Sequence, residues 1–498
     1  MNDFKIGRSD MINCTLCHDA PCSAACPGLD PAKVLRSIWF DNEKVAALRL
    51  QEDNPCAGCP APCEGKCLHA GKVPVKELMM RLYDEVKPDV SGKGYSKSDS
   101  ILRTDICGIP LENPFLLSSS VVSSNYDMCA RAFEAGWAGA VFKTVCSFEI
   151  HECSPRFGAL PGSAGGFVGF KNIEQLSEKG VEKNMEIIRK LKTDYPDKAL
   201  IVSYMGQNEA EWGELARICE ENGADGVELN FSCPNMANGD LGSAIGQIPE
   251  LVETFTATAK KNCNIPVIAK LTPNVANMND AAEAAKRGGA DGVAAINTIK
   301  SVMGLDPDTF VSSPDVHGMS ATGGYSGNAV KPIALRFIAE MGNNRNLSGM
   351  HISGMGGIET WRDALDFLLL GAGSLQVTTA VMKYGNRIIE DLTSGLEYYL
   401  KDKGYVNVKD IVGLGLSHIS DTTDVLERDT VVFPLFDKSK CAGCGRCVIS
   451  CSDGGHQALT MKEDRSIKLD GGKCVGCHLC ALVCPEGAIK TDGKRIQR

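Results

Sequence analysis

The sequence has no long hydrophobic run and no excess of positive charge, and both absences narrow its function. No apolar stretch approaches the roughly 20 residues of a membrane-spanning helix, and the first residues, MNDFKIGRSD, lack the hydrophobic stretch of a signal peptide. The net charge of −10 opposes binding to nucleic acid or to an anionic membrane surface, because both are negatively charged. We therefore expect a cytoplasmic protein that binds small molecules and other proteins.

Cysteine is the residue that the chain has in excess. Of 23 cysteines, eight lie between Cys14 and Cys67, eight lie between Cys441 and Cys484, and seven are spread over the long middle. In a reducing cytosol such groups bind metal or carry redox chemistry, since disulfides do not persist there. A chain of 498 residues is also too long for one hydrophobic core. The sequence predicts metal-binding domains on both sides of a larger middle domain.

Two cysteine runs near the C-terminus have the spacing of a bacterial ferredoxin. Each reads Cys-x2-Cys-x2-Cys-x3-Cys, and in such pairs the fourth cysteine of each run ligates the other cluster. Zinc sites use pairs of Cys-x2-Cys and have no need of this repeated spacing. We predict two [4Fe–4S] clusters and electron transfer, with one cluster held by Cys441, Cys444, Cys447 and Cys484 and the other by Cys474, Cys477, Cys480 and Cys451.

The eight N-terminal cysteines are enough to ligate two further [4Fe–4S] clusters. Their runs read Cys-x2-Cys-x4-Cys-x3-Cys from Cys14 and Cys-x2-Cys-x3-Cys-x3-Cys from Cys56, with a helical-looking stretch at 31–50 between them. These are not ferredoxin spacings, so zinc binding remains an alternative here.

The middle of the chain alternates short apolar runs with amphipathic stretches of helical length, the pattern of a parallel sheet with crossover helices. Eight candidate strands within about 300 residues predict a (β/α)8 TIM barrel. An open doubly wound sheet is the alternative, but no Gly-x-Gly-x-x-Gly segment follows any strand. The candidate strands are 115–119, 140–144, 200–205, 226–230, 267–271, 292–296, 350–353 and 374–377.

Polar residues stand where the predicted strands end, which is where barrel enzymes carry their chemistry. Strands two, four, five and six are followed by Lys143-Thr144, by Asn230-Phe-Ser-Cys-Pro-Asn, by Lys270-Leu-Thr-Pro-Asn and by Asn297-Thr298. The glycine-rich segments 323–327 and 353–357, and then Thr378-Thr379, come later in the chain. Backbone N–H groups at such glycines can close on a phosphate, so we predict that an FMN phosphate fits there.

The barrel sequence resembles that of dihydropyrimidine dehydrogenase, a relative of the dihydroorotate dehydrogenases. The resemblance rests on Asn230-Phe-Ser-Cys-Pro, Ala269-Lys-Leu-Thr-Pro-Asn, Gly288-Gly-Ala-Asp-Gly-Val and Gly324-Tyr-Ser-Gly, and it runs from about Ile101 through the C-terminal ferredoxin. The N-terminal cysteines resemble the helical iron–sulfur module of dihydropyrimidine dehydrogenase and of the glutamate synthase small subunit. The resemblance implies an α/β protein with three domains: a helical iron–sulfur domain at 1–95, an FMN-binding TIM barrel at 96–425 and an α+β 2[4Fe–4S] ferredoxin-like domain at 426–498.

The same resemblance implies the N-terminal cluster ligands. It assigns Cys14, Cys17, Cys22 and Cys67 to one cluster, and Cys26, Cys59 and Cys63 to three irons of a second. The fourth ligand of the second cluster stays open among Glu77, Met79 and Cys56.

The implied activity is reduction of the 5,6 double bond of uracil or thymine by hydride from FMN, with the thiol of Cys233 as the general acid. A thiol with a pKa near 8.5 can donate a proton at neutral pH. The implied pyrimidine-binding residues are Asn208, Asn230, Ser232, Asn297 and Thr298. The implied FMN-binding residues are Ser118, Ser119, Ser120, Lys143, Thr144, Lys270, Ser326, Gly327, Gly356, Gly357, Thr378 and Thr379. His151 and His351 match no family role and are interpreted as structural.

Family members that use NAD(P)H carry FAD and nucleotide domains that have no counterpart in this sequence, since residues 87–100 form a polar linker directly before the barrel. We therefore expect electrons from a separate FAD/NAD(P)H subunit or a ferredoxin, and a homodimer or hetero-oligomer. Two alternatives remain open: the same chemistry on another ring such as orotate/dihydroorotate, and a non-catalytic iron–sulfur flavoprotein that serves as an electron-transfer subunit.

Overall fold

The computed structural model describes residues 6–50, 56–86, 101–162, 166–236 and 241–497. The predicted linker at 87–100 therefore lies outside the described residues. The chain divides into two compact units, one that ends at Ile419 and one that begins at Ser420. Within the described ranges, no helix is long and apolar enough to cross a membrane.

The N-terminal part of the first unit is helical. The second helix starts after Asp30, whose side chain accepts a hydrogen bond from Lys33 N, and Pro31 fits its first turn because that N–H would have no helical partner. Its apolar face, with Val34, Leu35 and Ile38, is buried. The helices are α1 (Pro21–Ala25), α2 (Pro31–Trp39), α3 (Glu43–Leu48), α4 (Pro62–Gly65) and α5 (Val75–Glu85).

Strands and helices then alternate along the first unit. Its strands are β1 (Thr104–Ile106), β2 (Ile109–Leu111), β3 (Phe115–Leu117), β4 (Gly139–Val145), β5 (Phe157–Pro161), β6 (Phe167–Asn172), β7 (Ala199–Tyr204), β8 (Gly226–Asn230), β9 (Val267–Lys270), β10 (Gly292–Ala295), β11 (Ile299–Ser301), β12 (Gly323–Ser326), β13 (His351–Met355) and β14 (Ser374–Val377). Its further helices are α6 (Tyr126–Ala135), α7 (Val181–Asp194), α8 (Glu209–Glu221), α9 (Pro249–Asn262), α10 (Asn279–Arg287), α11 (Lys331–Asn343), α12 (Trp361–Leu369), α13 (Thr379–Tyr384) and α14 (Ile388–Lys403). Short 3₁₀ turns lie at Arg8–Met11, Val121–Ser123, Ile245–Gln247, Asn328–Val330, Arg345–Leu347, Val408–Ile411 and Leu416–His418.

A closed parallel barrel forms the centre of this unit, and it confirms the predicted fold. Its strands follow the order β3-β4-β7-β8-β9-β10-β13-β14, and β14 pairs with β3 through Leu375 and Phe115. The eight predicted strands are these eight, with ends that differ by one or two residues. Every residue of β4, β7 and β8 is buried, because a parallel barrel is covered on both faces.

Two smaller sheets complete the barrel. The antiparallel hairpin β1-β2 packs apolar side chains such as Ile106 and Ile109 against the barrel strands. The other sheet has the order β11-β12-β6-β5 and was not predicted. It joins two segments of the chain, β5-β6 and β11-β12, that are more than 100 residues apart in sequence. In this sheet Tyr325 of β12 pairs with Lys171 of β6. It places the residues after β6 beside the carboxyl ends of the barrel strands.

The N-terminal helices are joined to the barrel helix α14 by buried polar contacts. Arg36 Nε lies 2.6 Å from Asp391 Oδ2, and Ser37 Oγ donates to Asp391 Oδ1 at 2.7 Å. The Asp391 side chain is fully removed from solvent. Farther along the seam, Trp361 Nε1 donates to the carbonyl of Asp41 at 2.8 Å. The helical module is therefore fixed on the barrel.

The second unit combines short antiparallel ladders with two helices. Strand pairs form between β15 and β20, β16 and β19, and β17 and β18. A small apolar core includes Leu459, Ala481 and Ile489 together with several cysteines. The elements are β15 (Thr430–Val432), β16 (Leu435–Phe436), α15 (Arg446–Gly454), β17 (Leu459–Met461), β18 (Ile467–Leu469), α16 (Leu479–Leu482), β19 (Ile489–Lys490) and β20 (Arg495–Gln497).

Candidate active site and cluster sites

A cavity opens at the carboxyl ends of the barrel strands. Strand ends and the loops after them supply its polar wall, as the alternation of strands and helices predicts for a barrel. The structure brings most of the predicted barrel-site residues to this cavity: Ser118, Ser119, Ser120, Lys143, Thr144, Asn230, Cys233, Lys270, Asn297, Thr298, Ser326, Gly327, Gly356, Gly357, Thr378 and Thr379.

Side-chain amides on the cavity wall are held by a chain of hydrogen bonds. Asn230 Nδ2 donates to Thr144 Oγ1 at 2.9 Å, and Asn230 Oδ1 accepts from Ser232 Oγ at 2.9 Å. Asn297 Nδ2 in turn donates to Ser232 Oγ at 2.7 Å, and Asn297 Oδ1 accepts from Thr298 N at 2.7 Å. These hydrogen bonds fix the positions of the two amides. Ser232 lies behind the two asparagines and supports them without lining the cavity itself.

Asn208 is placed elsewhere and does not line the cavity. Its side chain accepts a hydrogen bond from Glu211 N at 3.2 Å and thereby caps α8. Asparagine is favoured at a helix N-cap, which accounts for this position of Asn208, and its substrate-binding role stays a prediction.

The unpredicted sheet brings other amides to the cavity. Asn172 at the end of β6 lines the wall, together with Glu174 and Gln175 just after it. Asn235 faces them from the loop after β8 and donates from Nδ2 to Asn172 Oδ1 at 3.2 Å. Among the described residues, the buried Asn235 Oδ1 finds no hydrogen-bond partner. The sequence signal that could have identified Asn172, Glu174 and Gln175 is that these polar residues come at the end of the apolar segment 167–172 and just after it.

The cations on the cavity wall are paired with buried carboxylates. Lys143 Nζ lies 2.8 Å from Glu174 Oε1, which also accepts a contact from Arg156 at 3.3 Å. Lys270 Nζ lies 3.4 Å from Glu228 Oε1, and both side chains are almost fully buried. The described cations of the wall thus carry compensated charge, and a ligand meets little net positive charge there.

The thiol of Cys233 stands at the cavity and is only 6% exposed. Burial raises its pKa to about 11, and the charge of Glu152 acts in the same direction. Lys143 and Lys270 lower the pKa, but by less than burial raises it. The group is accordingly a protonated thiol over the whole neutral range and can act as a proton donor.

The residues around the cavity fit FMN. Gly356 and Gly357 have φ of 123° and 82°, and a Cβ at Gly357 would come within 2.9 Å of Gly327 O. These glycines, with Thr378 and Thr379 at the start of α13, leave a cradle of backbone and hydroxyl groups that suits a phosphate. Gln376 Oε1 is buried at the cavity and has no hydrogen-bond partner among the described residues, so it can accept from a ring N–H.

The C-terminal cysteines gather into the two crossed sets that the spacing predicts. One hollow of the second unit is lined by Cys441, Cys444, Cys447 and Cys484. A second hollow is lined by Cys451, Cys474, Cys477 and Cys480. Four thiols around one hollow are the donor set of a [4Fe–4S] cluster.

Four of the N-terminal cysteines line a cavity between the helices of the first unit and their loops. Its wall includes Cys14, Cys17, Cys22 and Cys67, the four residues assigned to one cluster. Arg387 of the barrel donates from Nη1 to Cys17 O at 3.2 Å and therefore fixes the loop that carries two of these thiols. The remaining N-terminal cysteines, Cys26, Cys56, Cys59 and Cys63, do not line this cavity.

The sequence matches two protein families. The dihydroorotate dehydrogenase family matches residues 101–400, and a 4Fe-4S dicluster domain matches residues 435–491. The first match covers the barrel and its cavity, and the second covers the two C-terminal cysteine sets.

Several curated proteins are similar to this chain. The NAD-dependent dihydropyrimidine dehydrogenase subunit PreA of Escherichia coli strain K12 is 52% identical over 362 residues, which are 73% of this chain and 88% of PreA. The chloroplastic dihydropyrimidine dehydrogenase (NADP(+)) of Arabidopsis thaliana is 35% identical over 67% of this chain and 81% of its own. The catalytic subunit of dihydroorotate dehydrogenase B (NAD(+)) of Pyrococcus abyssi is 39% identical over 64% of this chain and 99% of its own.

Proposed function

Because this chain belongs to the dihydroorotate dehydrogenase family, together with the dihydropyrimidine dehydrogenases, we propose that it reduces the 5,6 double bond of uracil or thymine. The chain is an oxidoreductase that acts on CH–CH bonds, and FMN and [4Fe–4S] clusters are its cofactors. The substrate, the proton donor and the electron donor are the parts that we propose.

The substrate proposal rests on one observation: the cavity offers amides, while its cations are already paired. A uracil ring presents two carbonyl acceptors and two N–H donors, and side-chain amides supply both functions. Asn172, Asn230 and Asn297 line the cavity, and the free Asn235 Oδ1 needs a donor such as a ring N–H. An orotate carboxylate would need an unpaired cation, which the described wall does not present, so a neutral ring is favoured.

Cys233 is proposed as the general acid. FMN, when bound and reduced, supplies the hydride for C6 of the pyrimidine. The thiol of Cys233 gives its proton to C5, and the chain keeps this thiol protonated by burying it. Asn230 and Asn297 orient the ring so that C5 faces the thiol, because their own positions are fixed through Ser232.

The FMN contacts are proposed for the residues that line the cavity. Lys143 and Lys270 stand beside the ring system, where a cation favours the reduced flavin. Gly327, Gly356 and Gly357 hold the phosphate through backbone N–H groups. The hydroxyl contacts come from Ser118, Ser119, Ser120, Thr144, Ser326, Thr378 and Thr379.

The cluster ligands are proposed as the gathered cysteine sets. The two C-terminal clusters are ligated by the two crossed cysteine sets described above. The first N-terminal cluster is ligated by Cys14, Cys17, Cys22 and Cys67. The second N-terminal cluster is ligated by Cys26, Cys59 and Cys63 with one further ligand. We retain the domain boundaries 1–95, 96–425 and 426–498 as proposals, and we place the protein in the cytoplasm, where free thiolates persist.

Electrons are proposed to come from a separate donor. PreA is named as a subunit of an NAD-dependent enzyme, and this chain is similar to it over most of its length. An FAD/NAD(P)H subunit or a ferredoxin would therefore reduce the clusters of this chain, which works as a homodimer or a hetero-oligomer. The clusters then pass single electrons to the flavin.

The function is tested by following flavin reoxidation. The purified chain is reduced with dithionite, excess dithionite is removed under argon, and uracil, thymine or orotate is added while the flavin absorbance is recorded. We expect uracil or thymine to reoxidise the flavin and orotate to fail. Reoxidation by orotate alone would indicate that the substrate pair is orotate/dihydroorotate. If none of the three compounds reoxidised the flavin, the result would support a non-catalytic electron-transfer subunit.

A paired variant tests the proton donor. Cys233→Ala should remove turnover with the pyrimidine while flavin and iron contents stay unchanged, because the thiol donates a proton and holds no cofactor. Cys153→Ala serves as the matched control, since Cys153 is a partly exposed thiol that does not line the cavity. Full activity of Cys233→Ala would contradict the assignment.

A further inference from the structure

The second N-terminal cysteine group contains one thiol more than the three that the family resemblance assigns. Cys26, Cys59 and Cys63 account for three ligands of a cubane, and a fourth iron needs one more. The described residues offer Glu77, Met79 and Cys56 as candidates, and their positions differ sharply.

Glu77 and Met79 both lie on α5 and not in a loop. Glu77 belongs to the first turn of that helix and its side chain faces solvent. Met79 is completely buried and belongs to the apolar core together with Leu78 and Leu82. A carboxylate in solvent is poorly placed for a buried cluster, and the place of Met79 in the apolar core is accounted for by packing.

Cys56 is buried although the two residues that follow it are not. It is 8% exposed, while Ala57 and Gly58, which follow it, are exposed. Cys59 N donates to Cys56 O at 3.2 Å, which closes a tight turn, and Gly58 has the left-handed φ of 70° that this turn uses. Two thiols separated by two residues on such a turn can reach neighbouring irons of one cubane.

The packing of the short helices brings the other two thiols to this turn. Helix α1, which ends just before Cys26, packs against α4, which carries Cys63 and leaves it only 5% exposed. The turn of Cys56 and Cys59 leads directly into α4, so all four cysteines belong to the region where α1 and α4 pack together.

A basic side chain stands at the same place. Lys76 Nζ donates to the carbonyl of Cys59 at 2.5 Å, at the end of the turn that begins with Cys56. The backbone N–H of Lys76 donates to Glu64 Oε1 at 2.8 Å, which fixes the start of α5 against the turn after Cys63. A cation held beside converging thiols stabilises their ionised form, the form that binds iron.

We propose that Cys56 is the fourth ligand of the second N-terminal cluster, so that Cys26, Cys56, Cys59 and Cys63 hold it with four thiolates. The proposal rests on the presence of a second cluster in this module and names its ligand set. Glu77 and Met79 have no part in it.

The test compares variants of the full chain, purified without oxygen, by iron content per chain and by the EPR spectrum after reduction with dithionite. Cys56→Ala should lower iron content from about 16 to about 12 per chain, or by about one if a three-iron cluster with its own EPR signal remains. Met79→Leu and Glu77→Gln should keep both the iron content and the spectrum of the unsubstituted chain. Cys153→Ala controls for the loss of any thiol.

Two further variants keep the outcomes separate. Cys59→Ala removes an assigned ligand, so unchanged iron in that variant would show that the module holds no second cluster. Cys56→Ser replaces the thiol by a hydroxyl at the same position. This variant should keep the iron but show an altered EPR signal. Full iron with an unaltered spectrum in both Cys56 variants, or loss of the cluster in Met79→Leu, would overturn the proposal. Flavin content identifies any variant that has failed to fold.

Discussion

Lys270 Nζ lies 3.4 Å from Glu228 Oε1 in the interior of the barrel, and the Glu228 side chain has no contact with solvent. The other carboxylate oxygen, Glu228 Oε2, accepts a hydrogen bond from Gln376 Nε2 at 3.0 Å, and Lys270 Nζ donates to Ser118 Oγ at 3.3 Å. The lysine that faces the flavin cavity is therefore held by an anion beneath it. An ion pair this deep in a barrel is costly to bury, and the hydrogen bonds from Gln376 to Glu228 and from Lys270 to Ser118 offset part of that cost.

The first prediction concerns that pair. Glu228→Gln leaves Lys270 with an uncompensated positive charge beside the flavin, and a positive charge favours the reduced anion. We expect the flavin midpoint potential to rise by on the order of 30 mV, about 1.4 kcal/mol for a two-electron couple. Spectroelectrochemical titration of the flavin measures the shift. Glu250→Gln, at an exposed carboxylate in the first turn of α9, should leave the potential unchanged.

The second prediction concerns pH. Burial raises the pKa of Cys233 to about 11, so the thiol stays protonated between pH 7 and pH 10. Pyrimidine reduction, which uses the protonated form, should show no loss of rate in that range from this group. The reverse reaction needs the thiolate, and its rate should rise about tenfold per pH unit up to about pH 11. A reverse rate that levels off near pH 8 would show that the thiol has an ordinary pKa.

The third prediction separates two asparagines. Asn172→Ala removes an amide from the cavity wall and should lower kcat/KM for uracil by roughly 10- to 100-fold, because a substrate group loses its hydrogen-bond partner. Asn208→Ala is the matched control: it should cost about 1 kcal/mol of stability through loss of the α8 cap and leave kcat/KM within about twofold. Equal losses in the two variants would argue against the pocket described above.

The fourth prediction concerns the seam between the helical module and the barrel. Arg36→Met leaves the carboxylate of Asp391 buried without its cation, which should destabilise the protein by about 3–5 kcal/mol. The double variant Arg36→Met/Asp391→Leu should recover part of this loss, since no unpaired charge remains. Arg217→Met removes a half-exposed partner of Glu221 and should cost less than about 1 kcal/mol. Thermal unfolding of the three variants decides between these outcomes.

The barrel could be predicted because its strands are local signals. Strands such as Phe115–Leu117 and Gly292–Ala295 are short and fully buried, and they appear in the sequence as uninterrupted apolar runs between helical segments. The C-terminal cysteine sets could be predicted for a similar reason, since eight cysteines within 44 residues define their own pairing by spacing.

The rest of the site depends on contacts between distant segments. The sheet that brings Asn172 to the cavity pairs residue 325 with residue 171, and its edge strand Phe157–Pro161 is mostly exposed, so no local periodicity reveals it. Asn208 shows the converse problem, because the sequence does not distinguish an asparagine that caps a helix from one that meets a ligand. Cys56 could be named as a candidate from sequence, but only the packing of α1 on α4 separates it from Glu77 and Met79.

The attachment of the N-terminal helices to α14 bears on how a redox partner is chosen. Since Asp391 and Arg36 are buried at the seam, the module has no free form that could detach, collect an electron elsewhere and return. The module is fixed on the barrel, so a donor protein that reduces it would have to bind to it there. Selection for such a donor would therefore act on the outer surface of the module, formed by residues 6–50 and 56–86 in the part of the chain that the structure describes, while the barrel and its substrate pocket could stay as they are.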